Sequence, residues 1–201
     1  MLMNRQPTRE DYAYHDIKHV LDQFQSIGLS EMAGVSLLNR IDTKYLIPTQ
    51  DLSSILQNVN EHYRILDINQ VRLNRYHTVY FDEPDFTFYN QHHNKHADRY
   101  KVRARQYVDT NLAFFEVKHK TNKKRTIKSR LPLESGLVHQ SDDISTFVDN
   151  HVSIQSEDLE PKLWNDYRRL TLVGKSHPER VTLDLALSFG HDDTSIALSG
   201  M

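Results

Sequence analysis

Residues 99–107 read RYKVRARQY, with a cation at every odd position from 99 to 105: Arg99, Lys101, Arg103 and Arg105. Tyr100, Val102, Ala104 and Gln106 fill the positions between. Side chains of a β-strand alternate between its two faces. Read as a strand, this segment puts all four cations on one face and a packable surface on the other. Yet the chain carries 25 Lys and Arg against 27 Asp and Glu, a formal net charge of −2. The positive charge is therefore local, and whatever it binds is held by clustering. The near-neutral balance argues against a generic nucleic-acid coat protein.

The pattern recurs. In FFEVKHK, Phe114, Glu116, Lys118 and Lys120 share a face, while Phe115 and Val117 point away. In TIKSRL, Lys128 and Arg130 oppose Ile127 and Leu131. Tyr167 and Arg169 share a face in YRRLTL, and Arg180, Thr182 and Asp184 oppose Val181, Leu183 and Leu185 in RVTLD. LLNRIDTKYLIP (37–48) carries Arg40, Asp42 and Lys44 on its even face and Ile41, Thr43, Tyr45 and Ile47 on its odd face. One such face is ordinary for an antiparallel sheet with a wet side. The set is harder to explain that way, because like charges directly opposite on neighbouring strands are destabilising, and Arg suits bidentate recognition of phosphate oxygens. Two readings follow: a solvated outer face, or a barrel with its charged faces turned inward. Buried unpaired charge costs several kcal/mol per ion, so the barrel would need water, counter-ions or a polyanionic ligand.

The remaining elements complete an α+β expectation in which antiparallel strands dominate. Helices are predicted over 8–27, from Thr49 as N-cap with a Leu52, Ile55, Leu56 and Val59 stripe, and over 142–151 and 156–165. Strands are predicted at 37–48, 76–82, 99–107, 112–120 and 125–133, then in YRRLTLVG and ERVTLDLAL. TNKK is expected to close a hairpin with a solvated tip, and HDDTSIALSGM to begin another strand. His92, His93 and His96 fall in an expected loop and are given a structural role; Leu163 and Trp164 are expected as core anchors. The aromatics are expected mostly to face away from the cations, unlike the interleaved surface of an RNA binder.

There is no cysteine, so disulfides, thiolate metal sites and cysteine nucleophiles are excluded. No signal-peptide h-region and no run of about 18 apolar residues is visible. The expectation is a cytoplasmic domain with no membrane segment of its own, leaving room for a membrane partner. Residues 1–35 are read as an N-terminal helical segment and 36–201 as the main domain.

RIDTKYLIP, TVYFDEPDFTFYNQHHNKHADRYKVRARQY, FFEVKHKTNKKRTIKSRLPL, YRRLTL and RVTLD stand in the order seen in VTC domains. The chain resembles this family of polyphosphate polymerase domains, part of the CYTH-like triphosphate tunnel metalloenzymes, over about residues 36–190. The resemblance implies a tunnel of roughly eight antiparallel strands with flanking short helices. It implies binding of ATP or triphosphate and polyphosphate, without nucleic acid, and phosphoryl transfer assisted by Mn2+ or Mg2+. Residue by residue it assigns Lys44, Arg103, Arg105, Lys118 and Arg169 to the reacting phosphates. Lys128, Arg130, Tyr167 and Arg180 are assigned to phosphate binding, and the shared strand faces add Arg40 and Lys101. The glutamate that the family uses for metal, on a strand after RVTLD, has no identifiable counterpart before Met201, so the tunnel is expected to lack its last strand or strands. Glu116 is the first metal candidate, ahead of Asp42 and Asp184. Alternatives are a non-catalytic polyanion-binding module and a triphosphatase of the same superfamily. No Walker A sequence is present, so a P-loop does not compete.

Overall fold

The computed structural model describes residues 17–32, 41–123, 125–134 and 141–191. Arg40, the start of the first expected helix and the expected tail strand from residue 192 lie outside these. In chain order the elements are β1 (Gln25–Ile27), α1 (Leu29–Met32), α2 (Leu52–Val59), β2 (Tyr63–Leu66), β3 (Leu73–Asp82), α3 (Thr87–His93), β4 (Arg99–Tyr107), β5 (Leu112–Lys120), β6 (Thr126–Leu133), α4 (Asp142–His151), β7 (Glu160–Gly174) and β8 (Arg180–Gly190). The strand order is β1-β2-β7-β3-β4-β5-β6, with β8 on β7. β1 and β2 run parallel, whereas β2–β7, β3–β4, β4–β5 and β5–β6 are antiparallel. This is the expected α+β class. No helix among the described residues is long and apolar enough to cross a membrane.

The first compact unit comprises Met1–Asn74 and Arg169–Ala186. Its core joins Ile17, Val20, Leu21, Phe24, Leu52, Leu56, Ile65, Leu73, Leu170 and Leu172. The helical spacing of the first four holds, but the helix ends at residue 22 rather than 27. Gln25–Ile27 pairs instead with Arg64–Leu66. Arg72 fixes the change of direction: its Nη1 donates to the carbonyls of Leu21 (2.7 Å) and Phe24 (3.3 Å), and its Nε to Asp67 (2.9 Å). Carbonyls left open where a helix ends need such donors.

The segment 41–48, expected as a strand, carries no strand ladder. Ile41, Tyr45 and Leu46 are almost fully exposed. Alternation specifies two faces, but a strand exists only where a neighbour takes its N–H and C=O groups. After Pro48 a 3-10 turn at Thr49–Asp51 leads into α2, which buries Leu52 and Leu56. Thr49 is thus not the N-cap; Asp51 is, without a side-chain capping bond.

The second unit comprises Arg75–Arg168 and Leu187–Met201. β4 and β5 match their expected bounds. Their inward residues Val102, Ala104, Phe115 and Val117 join Phe88, Ile144, Val148, Val152 and Leu159 in one core. α4 lies where the spacing predicts it, and the Ser141 hydroxyl accepts from the N–H of Ile144 (3.3 Å). Pro132, opposite Phe114, is tolerated because β6 ends the strand order, and Pro cannot donate to a further ladder.

Two local expectations fail here. Residues 156–165 form a 3-10 turn, Ser156–Asp158, followed by the start of the fifteen-residue β7. Leu163 is consequently exposed rather than a core anchor. Trp164 packs so closely on Gly190 that a Cβ there would come within 2.7 Å of its ring. The stretch expected as a loop after β3 contains α3. Asp82, 6% exposed, organises it by accepting from the backbone N–H groups of Glu83 (2.9 Å), Phe88 (2.8 Å) and Tyr89 (2.8 Å).

Because charge-assisted hydrogen bonds are each worth about 1.5–3 kcal/mol, Asp82→Ala is expected to lower unfolding free energy by about 2–4 kcal/mol. Asp82→Asn should lose less. Urea unfolding at unchanged m-value measures both, and an Ala variant as stable as the parent would deny Asp82 this role.

Candidate functional site

The register of the second unit turns single-strand alternation into rows across one face. Lys101 lies opposite Lys118, and Lys118 opposite Lys128. The next row runs Tyr80, Arg103, Glu116, Arg130. A third runs Thr78, Arg105, Phe114, Pro132, and on the other side Arg99 opposes Lys120. On β4–β6 this face therefore holds Arg99, Lys101, Arg103, Arg105, Lys118, Lys120, Lys128 and Arg130 against one carboxylate, Glu116. Neighbouring strands are about 4.7–4.9 Å apart, so these charges repel at close range. The structure brings together Lys101, Arg103, Arg105, Lys118, Lys128 and Arg130, all singled out from the sequence.

Arg103 and Glu116 form the central pair. Arg103 Nε and Nη2 each lie 2.6 Å from Glu116 Oε2. Burial by itself would lower the Arg103 pKa, but the Glu116 carboxylate and the Tyr80 hydroxyl outweigh it and hold the guanidinium above its ordinary value.

Arg105 is only 9% exposed. Its Nε donates to the buried Thr78 hydroxyl (3.2 Å), and its guanidinium lies 5.6 Å from the centroid of the Tyr76 ring. Tyr76 stacks in turn on Tyr167, with centroids 5.0 Å apart and planes 5° from parallel. Among the described residues no carboxylate pairs with Arg105. An arginine cannot shed its charge, so this nearly buried cation is a standing demand for an anion.

Tyr76, Tyr80, Tyr107 and Phe114 therefore share the cationic face, against the expectation that aromatics face away. Register explains why they are there as supports: Arg130 covers Phe114 at 4.9 Å, and Tyr76 backs Arg105. Thr78 and Tyr80 were missed as site residues. Their signal was the even-position alternation of YHTVYFD, which gains meaning only once they sit opposite Arg105 and Arg103.

The other assigned residues are placed as follows. Tyr167, in the second unit, is buried in its stack. In the first unit, Arg169 is bidentate to Asp184, at 2.6 and 2.8 Å. Arg180 opens β8 and is exposed, as is Lys44 within 41–48.

Among the described residues no three His, Asp or Glu side chains stand close enough to enclose a metal. Magnesium commonly takes one or two protein carboxylates and completes its shell with substrate phosphates and water. Glu116 fits that single-carboxylate role, on condition that it exchanges Arg103. Asp184 is committed to Arg169.

Comparison with known proteins gives the class. Residues 39–198 match the model of the VTC domain, covering most of the chain and the stretch that carries the resemblance. The chain belongs to the VTC domain family. No curated protein matches it. Among solved structures, a Bacillus halodurans protein provisionally assigned as an adenylate cyclase is similar to it, with a TM-score of 0.48 and 13% identity. That match covers 69% of this chain and 68% of the other.

Removing the counter-charge of the central row separates its two effects. Glu116→Gln is expected to cost about 1–2 kcal/mol of stability, as for a half-buried ion pair. It should tighten binding of metal-free tripolyphosphate about fivefold, since one repulsive charge at contact is worth about 1 kcal/mol even in water. Weaker binding in calorimetry would instead mean that Glu116 aims Arg103 at the ligand.

Proposed function

We propose that this VTC domain binds polyphosphate and nucleoside triphosphate on the cationic face of β4–β6 and transfers phosphoryl groups between them. The observation that carries the reading is the row structure: three lysines directly opposite one another, and, two rows along the same face, a nearly buried Arg105 with which no carboxylate among the described residues pairs. Such a face is stabilised by a ligand with closely spaced negative charges that meets several strands at once. Phosphoryl transfer asks for this kind of help, because its transition state needs positioning and charge neutralisation more than covalent chemistry. Arg103 and Arg105 would hold equatorial phosphate oxygens, and Lys101, Lys118, Lys128 and Arg130 would carry the adjoining chain. Lys44, Arg169, Arg180 and Tyr167 keep the roles that the family resemblance implies, and Arg40 the phosphate-binding role read from its alternation with Lys44.

A divalent ion, Mn2+ or Mg2+, would arrive with the triphosphate and neutralise developing charge. Glu116 is the residue offered to it here. The lack of cysteine accords with a reducing, cytoplasmic setting, with any membrane attachment supplied by a partner.

One observation favours a second reading. The carboxylate of this face is already held by a guanidinium at 2.6 Å, which suits a module that binds polyanions without turning them over. Hydrolysis of a small triphosphate is the third outcome.

Arg103→Ala with Arg105→Ala is expected to weaken tripolyphosphate binding by at least about 2 kcal/mol; unchanged calorimetric affinity in the folded double variant would sink the site. Incubation with ATP and manganese or magnesium then distinguishes the readings. Chain growth supports the polymerase, phosphate release from triphosphate supports hydrolysis, and binding without either supports the module.

A further inference from the structure

We propose that Tyr107 seats the nucleobase of a nucleoside triphosphate, which lies along β4 with its base at the Tyr107 end of the face and its phosphates toward Lys101. The inference rests on the reading of the face as a triphosphate site and adds the direction of the ligand on it.

The rows of the face change character along the strands. Arg99 and Lys120 form the first, and Lys101, Lys118 and Lys128 the second. Arg103, Glu116 and Arg130 stand in the third, and in the fourth Arg105 lies between Thr78 and Phe114. The fifth row, Tyr76, Tyr107 and Leu112, carries no charge. Successive rows are two residues, or about 6.7 Å, apart. Inorganic polyphosphate is charged throughout, and an uncharged row gives it nothing. A nucleoside triphosphate is graded as the face is, with a flat π-surface at one end and a polyanion at the other.

The rings near that end divide into two kinds. Tyr76 backs Arg105 (5.6 Å) and Phe114 backs Arg130 (4.9 Å), so each supports a cation. Among the described residues no cation covers Tyr107. Its half-buried ring is held against Tyr76 (centroids 5.1 Å apart, planes at 58°) and Phe114 (6.0 Å, 87°). Leu112, opposite it on β5, is 53% exposed. A tyrosine fixed by two neighbouring rings, beside an exposed apolar side chain, is a platform of the kind on which bases stack. A base there brings the nearest phosphates to Arg105, one row along, and the next to Arg103, about 13 Å from the base row. The lysine row is left for the rest of a polyphosphate chain. The competing rings belong to α3, at the cationic end. There Tyr89 and His93 stack on each other (5.9 Å), and His92 Nε2 lies 3.2 Å from Lys101 Nζ. A base seated on α3 would reverse the ligand.

The test is calorimetry of metal-free ATP and of metal-free tripolyphosphate with the full chain and its Tyr107→Leu and Tyr107→Phe variants. Tyr107→Leu is expected to raise the Kd for ATP, relative to that for tripolyphosphate, at least about fivefold, the lower end of what one stacked base contributes. Tyr107→Phe keeps the ring and should leave the ratio as in the parent. In the parent itself, intermolecular NOEs should join the adenine protons to the Tyr107 ring. An equal loss for both ligands, or an unchanged ratio in Tyr107→Leu, overturns the base seat and leaves the phosphate site standing. NOEs to Tyr89 or His93 in place of Tyr107 overturn it as well, and that measurement decides even where Tyr107→Leu does not fold. Absence of tripolyphosphate binding by the parent overturns the site reading, and the inference with it.

Discussion

The antiparallel register of β4, β5 and β6 is the constraint on which the chemistry of the second unit depends. It sets Lys101, Lys118 and Lys128 directly opposite one another and gathers the cations into rows. Cross-strand like charges work against pairing, so the opposite face must supply the stability. It does so through Val102, Ala104, Phe115 and Val117, all but fully buried under Phe88 and the apolar side of α4. Each strand trades electrostatic strain on one face for hydrophobic burial on the other. A polyanion bound there, as proposed, would remove the strain without touching the core.

The site is graded in depth. Arg103 has a counter-charge and is released only by exchange with Glu116. Arg105 has a hydroxyl and an aromatic ring instead. Those partners hold its position, and among the described residues no carboxylate neutralises it, the state expected of a preorganised anion receptor. The Thr78 hydroxyl and the Tyr76–Tyr167 stack therefore belong to the proposed site through their support of Arg105, although they carry no charge.

Elsewhere, single polar side chains fix where the chain turns. Asp82 gathers one backbone N–H group just after β3 and two in the first turn of α3, which in turn carries His92 to Lys101. Arg72 takes the carbonyls at the end of the first helix, where the chain enters β1. Both use the same physics: backbone groups that leave a regular element are satisfied by one charged side chain.

The α+β class, the bounds of β4 and β5, the helix 142–151 and the sorting of cations to one side of each strand were legible in the amino-acid order, because period-two and helical patterns are local. The ordered motifs likewise pointed to the VTC family, to which the chain belongs. Local pattern was insufficient wherever a partner decided the outcome. Residues 25–27 left the expected helix because β2 offered a parallel neighbour, and 160–165 extended because they belong to the long β7. Alternation in 41–48 gave exposed residues without a ladder. Which cation faces which is a matter of register, and register is a non-local quantity, set by hydrophobic burial on the far face of the sheet. The sequence by itself determined that these strands have a cationic side; the tertiary structure decided that Arg103 meets Glu116, that Arg105 is buried against the Thr78 hydroxyl, and that His92 touches Lys101, since each of those contacts joins residues that chain order alone does not align.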